Sequence, residues 1–173
     1  MKSTNKLVRL SLLLAFALVI NYIESLVPLP IPLPGVKIGL ANCVGLMVLY
    51  FFDKKDFIVF NIIKVLMIGL LRTGFGTAFF ISMMGTVLST VFTLIVSKMT
   101  KASIYGLSIV GALFHSLGQV LMVMILYNNI YMINYLPVLE IISICSGCLT
   151  AFISANVLEK LPKRLFMEDK IYG

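Results

Sequence analysis

Residues 77–97 read "TAFFISMMGTVLSTVFTLIVS", a run of 21 residues without a charged side chain. A helix needs roughly 20 mostly apolar residues to cross the hydrocarbon core of a bilayer. The stretch therefore predicts a membrane-spanning helix. It also indicates that the rest of the chain folds with lipid, rather than water, as its main solvent.

The composition of the whole chain supports this prediction. Its 173 residues are 60% hydrophobic and 12% charged, and the mean hydropathy is +1.06. A soluble domain carries about 25% charged residues, and a soluble core could not cover so much apolar surface. We therefore expect an all-α integral membrane protein.

Polar breaks divide the chain into six apolar segments, which we predict to be six transmembrane helices in a single domain comprising residues 1–173. No Ala-x-Ala-like site follows the first segment, so we expect no cleavable signal peptide. The second and third segments are short, at the lower limit for crossing a bilayer. The predicted helices lie at about 7–27, 36–52, 57–72, 77–97, 104–127 and 133–158, with a proline-rich outer loop at 28–35.

The positions of lysine and arginine predict the orientation of these helices. An even number of crossings places both termini on one side of the membrane, together with the turns at 53–56 and 97–102. That side holds eleven of the fourteen basic residues, and basic residues accumulate on the cytoplasmic side. We expect a multi-pass bacterial plasma-membrane protein with both termini cytoplasmic. Its net charge of +7 then faces lipid headgroups, not nucleic acid.

Charged residues also occur in the outer half of the apolar segments or next to it, and these are Glu24, Lys37, Arg72 and Glu140. An ionisable group within a membrane segment costs about 2.5–3.5 kcal/mol on insertion scales, so such groups are usually functional. Ion pairs, Glu24 with Lys37 or Arg72 with Glu140, would explain the four without a ligand. The alternative is a polar site open to the exterior, in which two cations hold an anionic group.

Further polar side chains lie deeper in the segments. His115 and Gln119 are four residues apart, which places them on one helix face, and Asn42 is an amide that needs a partner. Lys64, near the middle of the third segment, could pair within the bundle, extend to the cytoplasmic edge or reach a ligand; we favour a structural or coupling role. The predicted ligand-binding residues are Glu24, Lys37, Asn42, Arg72, His115, Gln119 and Glu140.

The sequence contains no recognisable catalytic pattern. It has no Ser/His/Asp arrangement, no metal-ligand spacing and no phosphate-binding glycine loop. Cys145 and Cys148 form a C-x-x-C within an apolar segment, where packing is the better interpretation. We expect no catalytic residue, no metal site and no cofactor, and we expect that the protein is not an enzyme.

Residues 28–34 read "PLPIPLP". Alternating proline favours an extended polyproline-like conformation of roughly 20 Å, enough to cross the top of a small bundle. This strap could be a lid over an outer pocket, or it could be a rigid connector that holds the first two helices apart.

Three stretches resemble a known family: residues 23–46, "IESLVPLPIPLPGVKIGLANCVGL", residues 70–76, "LLRTGFG", and residues 111–121, "GALFHSLGQVL". The family is that of the small bacterial Gx transporters, also labelled heptaprenyl diphosphate synthase component I. It is similar to the substrate-binding S components of energy-coupling factor (ECF) transporters. The resemblance implies a six-helix S-component-like bundle with a ligand pocket near the outer face.

The same resemblance implies a membrane transport function. The ligand taken up would be a small amphipathic or anionic molecule of the vitamin, flavin, quinone-precursor or prenyl type. An energising transmembrane subunit with ATPases would be the partner, and Ser11 and Ala15 are nearest to the A-x-x-x-A docking pattern of S components. The alternative function is a non-catalytic membrane subunit that assists prenyl diphosphate or quinone synthesis, or a membrane electron-transfer complex.

Overall fold

The computed structural model describes residues 2–26 and 39–160. Of these residues, 91% lie in helices and none in a strand, which confirms the all-α class. The predicted outer loop at 28–35 lies outside the described residues. The helices are α1 Lys2–Leu26, α2 Ala41–Phe51, α3 Lys54–Ile68, α4 Thr77–Met99, α5 Ile104–Tyr127 and α6 Leu136–Lys160; a π-helical turn Gly69–Thr73 continues α3, and a 3-10 helix Ile130–Tyr135 precedes α6.

Within the described residues, four helical stretches are long and apolar enough to cross a membrane: Thr4–Leu26, Thr77–Met99, Ile104–Tyr127 and Ile130–Lys160. The other two helices are shorter. α2 is apolar but has 11 residues, so it is about 16 Å long, roughly half the thickness of the hydrocarbon core. α3 has 15 residues, among them Lys64. The four long helices support a membrane protein, and six crossings remain a prediction.

Helices α4 and α5 approach each other closely through glycine. A Cβ atom on Gly118 would lie 2.8 Å from the Cα atom of Gly85, so the two backbones are in direct contact. Phe92 is seven residues after Gly85 on α4, and Phe114 is four residues before Gly118 on α5. The rings of Phe92 and Phe114 stack with their centroids 3.6 Å apart. Small residues allow such approach in lipid, where apolar burial does not drive helix association.

Helix α2 packs against α1, α3 and α6, and it supplies more buried apolar side chains than any other helix in the described ranges. Val44 and Val48 of α2 and Ala17 of α1 are fully buried, and they belong to one hydrophobic cluster. On the α6 side, the Ser154 hydroxyl donates a hydrogen bond to the Cys43 carbonyl oxygen at 3.4 Å. α2 is thus fixed between α1 and α6.

The start of α1 and the turn before α3 lie at one end of the bundle. The Lys6 ammonium lies 2.8 Å from a carboxylate oxygen of Asp56 and 3.4 Å from one of Asp53. Asp53 also begins α3 in a reciprocal capping arrangement with Asp56, which satisfies backbone N–H groups of the first turn. This contact joins two segments that the basic-residue pattern assigns to the same side of the membrane.

Candidate functional site

A polar cavity of about 100 Å³ lies where the helices of the bundle converge. Its wall contains ionisable, amide and hydroxyl side chains within an otherwise apolar bundle. Every one of the six α-helices contributes to it. The polar side chains of the wall are Asn21, Glu24, Asn42, Lys64, Ser82, Thr86, His115, Ser116, Gln119, Ser143 and Ser146.

Glu24, near the end of α1, supplies the acidic group of the polar cavity. Its side chain is only 7% exposed. One carboxylate oxygen accepts a hydrogen bond from the backbone N–H of Gly39, immediately before α2, where the positive end of the helix dipole favours a negative charge. The other oxygen, Oε2, is buried and has no hydrogen-bond partner in the described parts of the chain.

Lys64, on α3, supplies the basic group. It is 4% exposed, and its ammonium donates a hydrogen bond to Asn42 Oδ1 at 3.0 Å. An ammonium has three N–H groups, so two remain available to another acceptor. Lys64 and Glu24 attract each other electrostatically, yet these two described residues do not form a direct ion pair.

His115 and Gln119 enter the polar cavity from α5 because α4 has a glycine opposite them. A Cβ atom on Gly85 would lie 3.0 Å from Gln119 Cγ and 3.0 Å from His115 Cε1. On the other side of α5, the hydroxyls of Ser116 and Ser143 hydrogen-bond to each other. The α4–α5 and α5–α6 contacts therefore fix the wall that carries His115 and Gln119.

The structure brings four of the seven predicted ligand-binding residues to this cavity, namely Glu24, Asn42, His115 and Gln119. Arg72 lies outside it, exposed on the π-helical turn. Glu140 is partly buried on α6, also outside the cavity wall, and its Oε2 atom has no partner among residues 2–26 and 39–160. No ion pair joins these two described residues. Lys37 lies outside the described residues.

Lys64 was not among the predicted ligand-binding residues. Its position in the middle of an apolar segment was the available signal, since a charged group there is costly. From the sequence alone we favour a structural or coupling role for Lys64. In the structure, the hydrogen bond from Lys64 to Asn42 shows that Lys64 lies on the inward-facing side of α3.

A second cavity of about 50 Å³ adjoins the first and shares Gly39, Asn42, Ala112 and Ser146 with it. Among residues 2–26 and 39–160, its wall carries hydroxyl and amide groups but no charged side chain. Two of these groups satisfy each other, since the hydroxyls of Ser108 and Thr150 hydrogen-bond at 2.8 Å, and Asn61 donates to Thr90 Oγ1 outside the wall at 3.2 Å.

No curated protein and no solved structure matched the chain. A family model described as heptaprenyl diphosphate synthase component I matches residues 13–157. The matched range is most of the chain and includes the whole wall of the polar cavity. The chain therefore belongs to the heptaprenyl diphosphate synthase component I family, as the motifs of residues 23–46, 70–76 and 111–121 predicted.

Proposed function

We propose that this protein is a non-catalytic transport subunit, similar to an ECF S component, that captures a small molecule at the outer face of the plasma membrane for uptake. One observation carries the proposal. Glu24 and Lys64 are both almost fully buried on one cavity, and a carboxylate oxygen lacks a partner in the described chain. Ionisable groups are retained inside membrane bundles chiefly where they act on a ligand, an ion or a proton.

The size of the polar cavity indicates how such a ligand would sit. Pockets that enclose a whole drug-sized ligand have volumes of about 300–1,000 Å³, whereas this cavity has about 100 Å³. An amphipathic vitamin, flavin, quinone-precursor or prenyl compound would place its polar group here. Its apolar part would extend toward the outer mouth, where the strap and Lys37 are predicted and where Arg72 and Glu140 stay candidate contacts.

Partner docking is proposed on α1. Ser11 and Ala15 are both exposed on this helix, beside the exposed apolar side chains of Leu12 and Phe16. Small residues among apolar ones permit close approach of another transmembrane helix. An energising subunit with ATPases would dock on this face, and lipid would cover it otherwise.

A second candidate function is a non-catalytic membrane subunit of a prenyl diphosphate synthase. The family match over residues 13–157 favours it, since the family is named as one component of that enzyme. In that case another synthase component, rather than a transport subunit, would bind the protein. Co-purification of a soluble synthase from a mild detergent extract, without any bound small molecule, would support this candidate over transport.

The transport proposal is tested by filling the polar cavity. Ser82→Leu adds an apolar side chain to the cavity wall, and we expect it to abolish retention of a ligand that the wild-type protein retains. Native mass spectrometry of gently extracted protein measures the bound mass. Ser97→Leu is the matched control, since Ser97 is on the same helix but outside both cavities. Equal retention by both variants would contradict the proposed site.

The proposed orientation is tested by thiol labelling of intact cells. In a cysteine-free chain, we expect Asn128→Cys, beyond the end of α5, to react with a membrane-impermeant maleimide added outside. Lys55→Cys, in the first turn of α3, should react only after the membrane is permeabilised. Both positions are exposed. The reverse labelling pattern would show that the cytoplasmic assignment of the termini is wrong.

A further inference from the structure

We propose that the polar cavity takes the head of a dipolar molecule, one that carries an ammonium-like cation and an anionic group a few bonds apart. Glu24 binds the cation and Lys64 binds the anion. The inference rests on the proposed function and specifies its ligand class. The sequence alone predicts only an amphipathic or anionic molecule.

The acidic end of the site is argued from the two oxygens of Glu24. Oε1 is occupied by the N–H of Gly39, whereas Oε2 is buried without a partner in the described chain. A buried carboxylate oxygen left unpaired is costly, and a hydrogen bond from a cationic donor is the strongest way to satisfy it. An anion placed alone beside Glu24 would instead be repelled.

The basic end is argued from Lys64. One N–H of its ammonium is directed to Asn42 Oδ1, and the remaining two can donate to an anionic group of the ligand. A carboxylate or phosphate near Lys64 would gain charge-assisted hydrogen bonds. Gln119, which is 9% exposed, adds to the same cavity wall an amide that can both donate and accept.

Charge balance then distinguishes a dipolar ligand from a simple ion. Glu24 and Lys64 carry opposite charges, so the cavity has no net charge from this pair. A ligand with a single charge would add an uncompensated charge to a low-dielectric bundle, whereas a ligand with both charges compensates each protein group in turn. Because Glu24 and Lys64 do not pair directly, each is available to such a ligand.

The test uses ω-amino acids of increasing length, namely β-alanine, 4-aminobutyrate and 6-aminohexanoate, each compared with its matched carboxylate and its matched amine. Binding to the full-length protein in detergent micelles is measured by calorimetry. We expect at least one amino acid to bind about tenfold or more tightly than both of its analogues, as one additional charged hydrogen bond would give.

Two variants, each of which removes the charge of one side chain, show which end of the site binds which end of the ligand. Glu24→Gln should remove the advantage of the amino acid over the carboxylate, and Lys64→Gln should remove its advantage over the amine. Each result is a ratio of two affinities measured on the same variant. Partial unfolding lowers both apparent affinities by the same factor and so leaves the ratio unchanged. Glu159→Gln and Lys98→Gln, at exposed positions outside the cavity, should keep both advantages.

The outcomes separate this inference from the proposed function. If a carboxylate binds as tightly as its amino acid at every length, or if none of the probes binds, the dipolar class is wrong. A small molecule retained by the wild-type protein in native mass spectrometry, and lost in Ser82→Leu, would then still support transport. Absence of both binding and a retained molecule would contradict both.

Discussion

Replacing Gly118 by alanine is expected to lower the free energy of unfolding by about 1–3 kcal/mol, the usual effect of overfilling a packed interface. The new Cβ would lie 2.8 Å from the Cα atom of Gly85 and 2.8 Å from the carbonyl oxygen of Met84. Both atoms belong to the backbone of α4, so no side-chain rotation can relieve the clash, and α4 and α5 must separate.

Thermal unfolding of the variant in detergent micelles measures this effect. Gly106→Ala, on the same helix, is the matched control because its Cβ would lie 3.6 Å from Ala102 Cβ, an ordinary contact. Since alanine favours helix more than glycine by up to about 1 kcal/mol, we expect Gly106→Ala to leave stability unchanged or raised. Equal stability of the Gly118 and Gly106 variants would be inconsistent with the close α4–α5 contact.

Gly39→Ala is expected to reduce both stability and ligand retention. Gly39 has a φ of +76°, a left-handed conformation that costs an L-residue about 1–2 kcal/mol. An added Cβ would also lie 3.3 Å from Asn42 Nδ2. Because the Gly39 N–H holds Glu24 and Asn42 holds Lys64, a shift here moves both charged ends of the cavity.

Gly74→Ala separates the backbone effect from the effect on the cavity. Gly74 also has a positive φ, +62° with a ψ of −173°, a conformation essentially confined to glycine, but a Cβ there would meet no heavy atom of the described residues within 4 Å. We expect both variants to lower the unfolding temperature, while only Gly39→Ala loses the small molecule in native mass spectrometry. Loss of the molecule in both variants would indicate a general loss of folding rather than a local effect on the site.

The all-α membrane class and part of the site follow from sequence for one reason. Lipid makes every polar side chain within an apolar segment costly, so Glu24, Asn42, His115 and Gln119 are conspicuous without any structure. Hydropathy alone predicts the class. The four residues can be identified because they are polar side chains within otherwise apolar segments. No knowledge of helix packing is required for either.

The position of Arg72 depends on packing that the sequence does not show. In a regular α-helix the side-chain direction turns by 100° per residue, so the direction of Arg72 would follow from that of Lys64 if α3 continued unchanged. The chain from Gly69 to Thr73 instead forms a π-helical turn, which has more residues per turn and changes the direction of the following side chains. In the structure Arg72 is exposed outside the cavity, whereas Lys64 is buried on its wall.

The start of α2 was also beyond sequence reasoning. A segment at about 36–52 was predicted from hydropathy, and the structure begins the helix at Ala41. The positive φ of Gly39 explains the difference, because that conformation cannot continue a right-handed helix. Hydropathy carries no information on this backbone angle.

The hydrogen bond between Lys64 and Asn42 has a consequence for biogenesis. Release of a central lysine into lipid by itself would cost about 2.5–3.5 kcal/mol, yet Asn42 and Glu24 both precede Lys64 in the chain. During synthesis, the amide that accepts a hydrogen bond from the ammonium and the carboxylate that attracts it both leave the ribosome first. If α1 and α2 stay beside the translocon until α3 emerges, Lys64 can bond to Asn42 as α3 enters the bilayer.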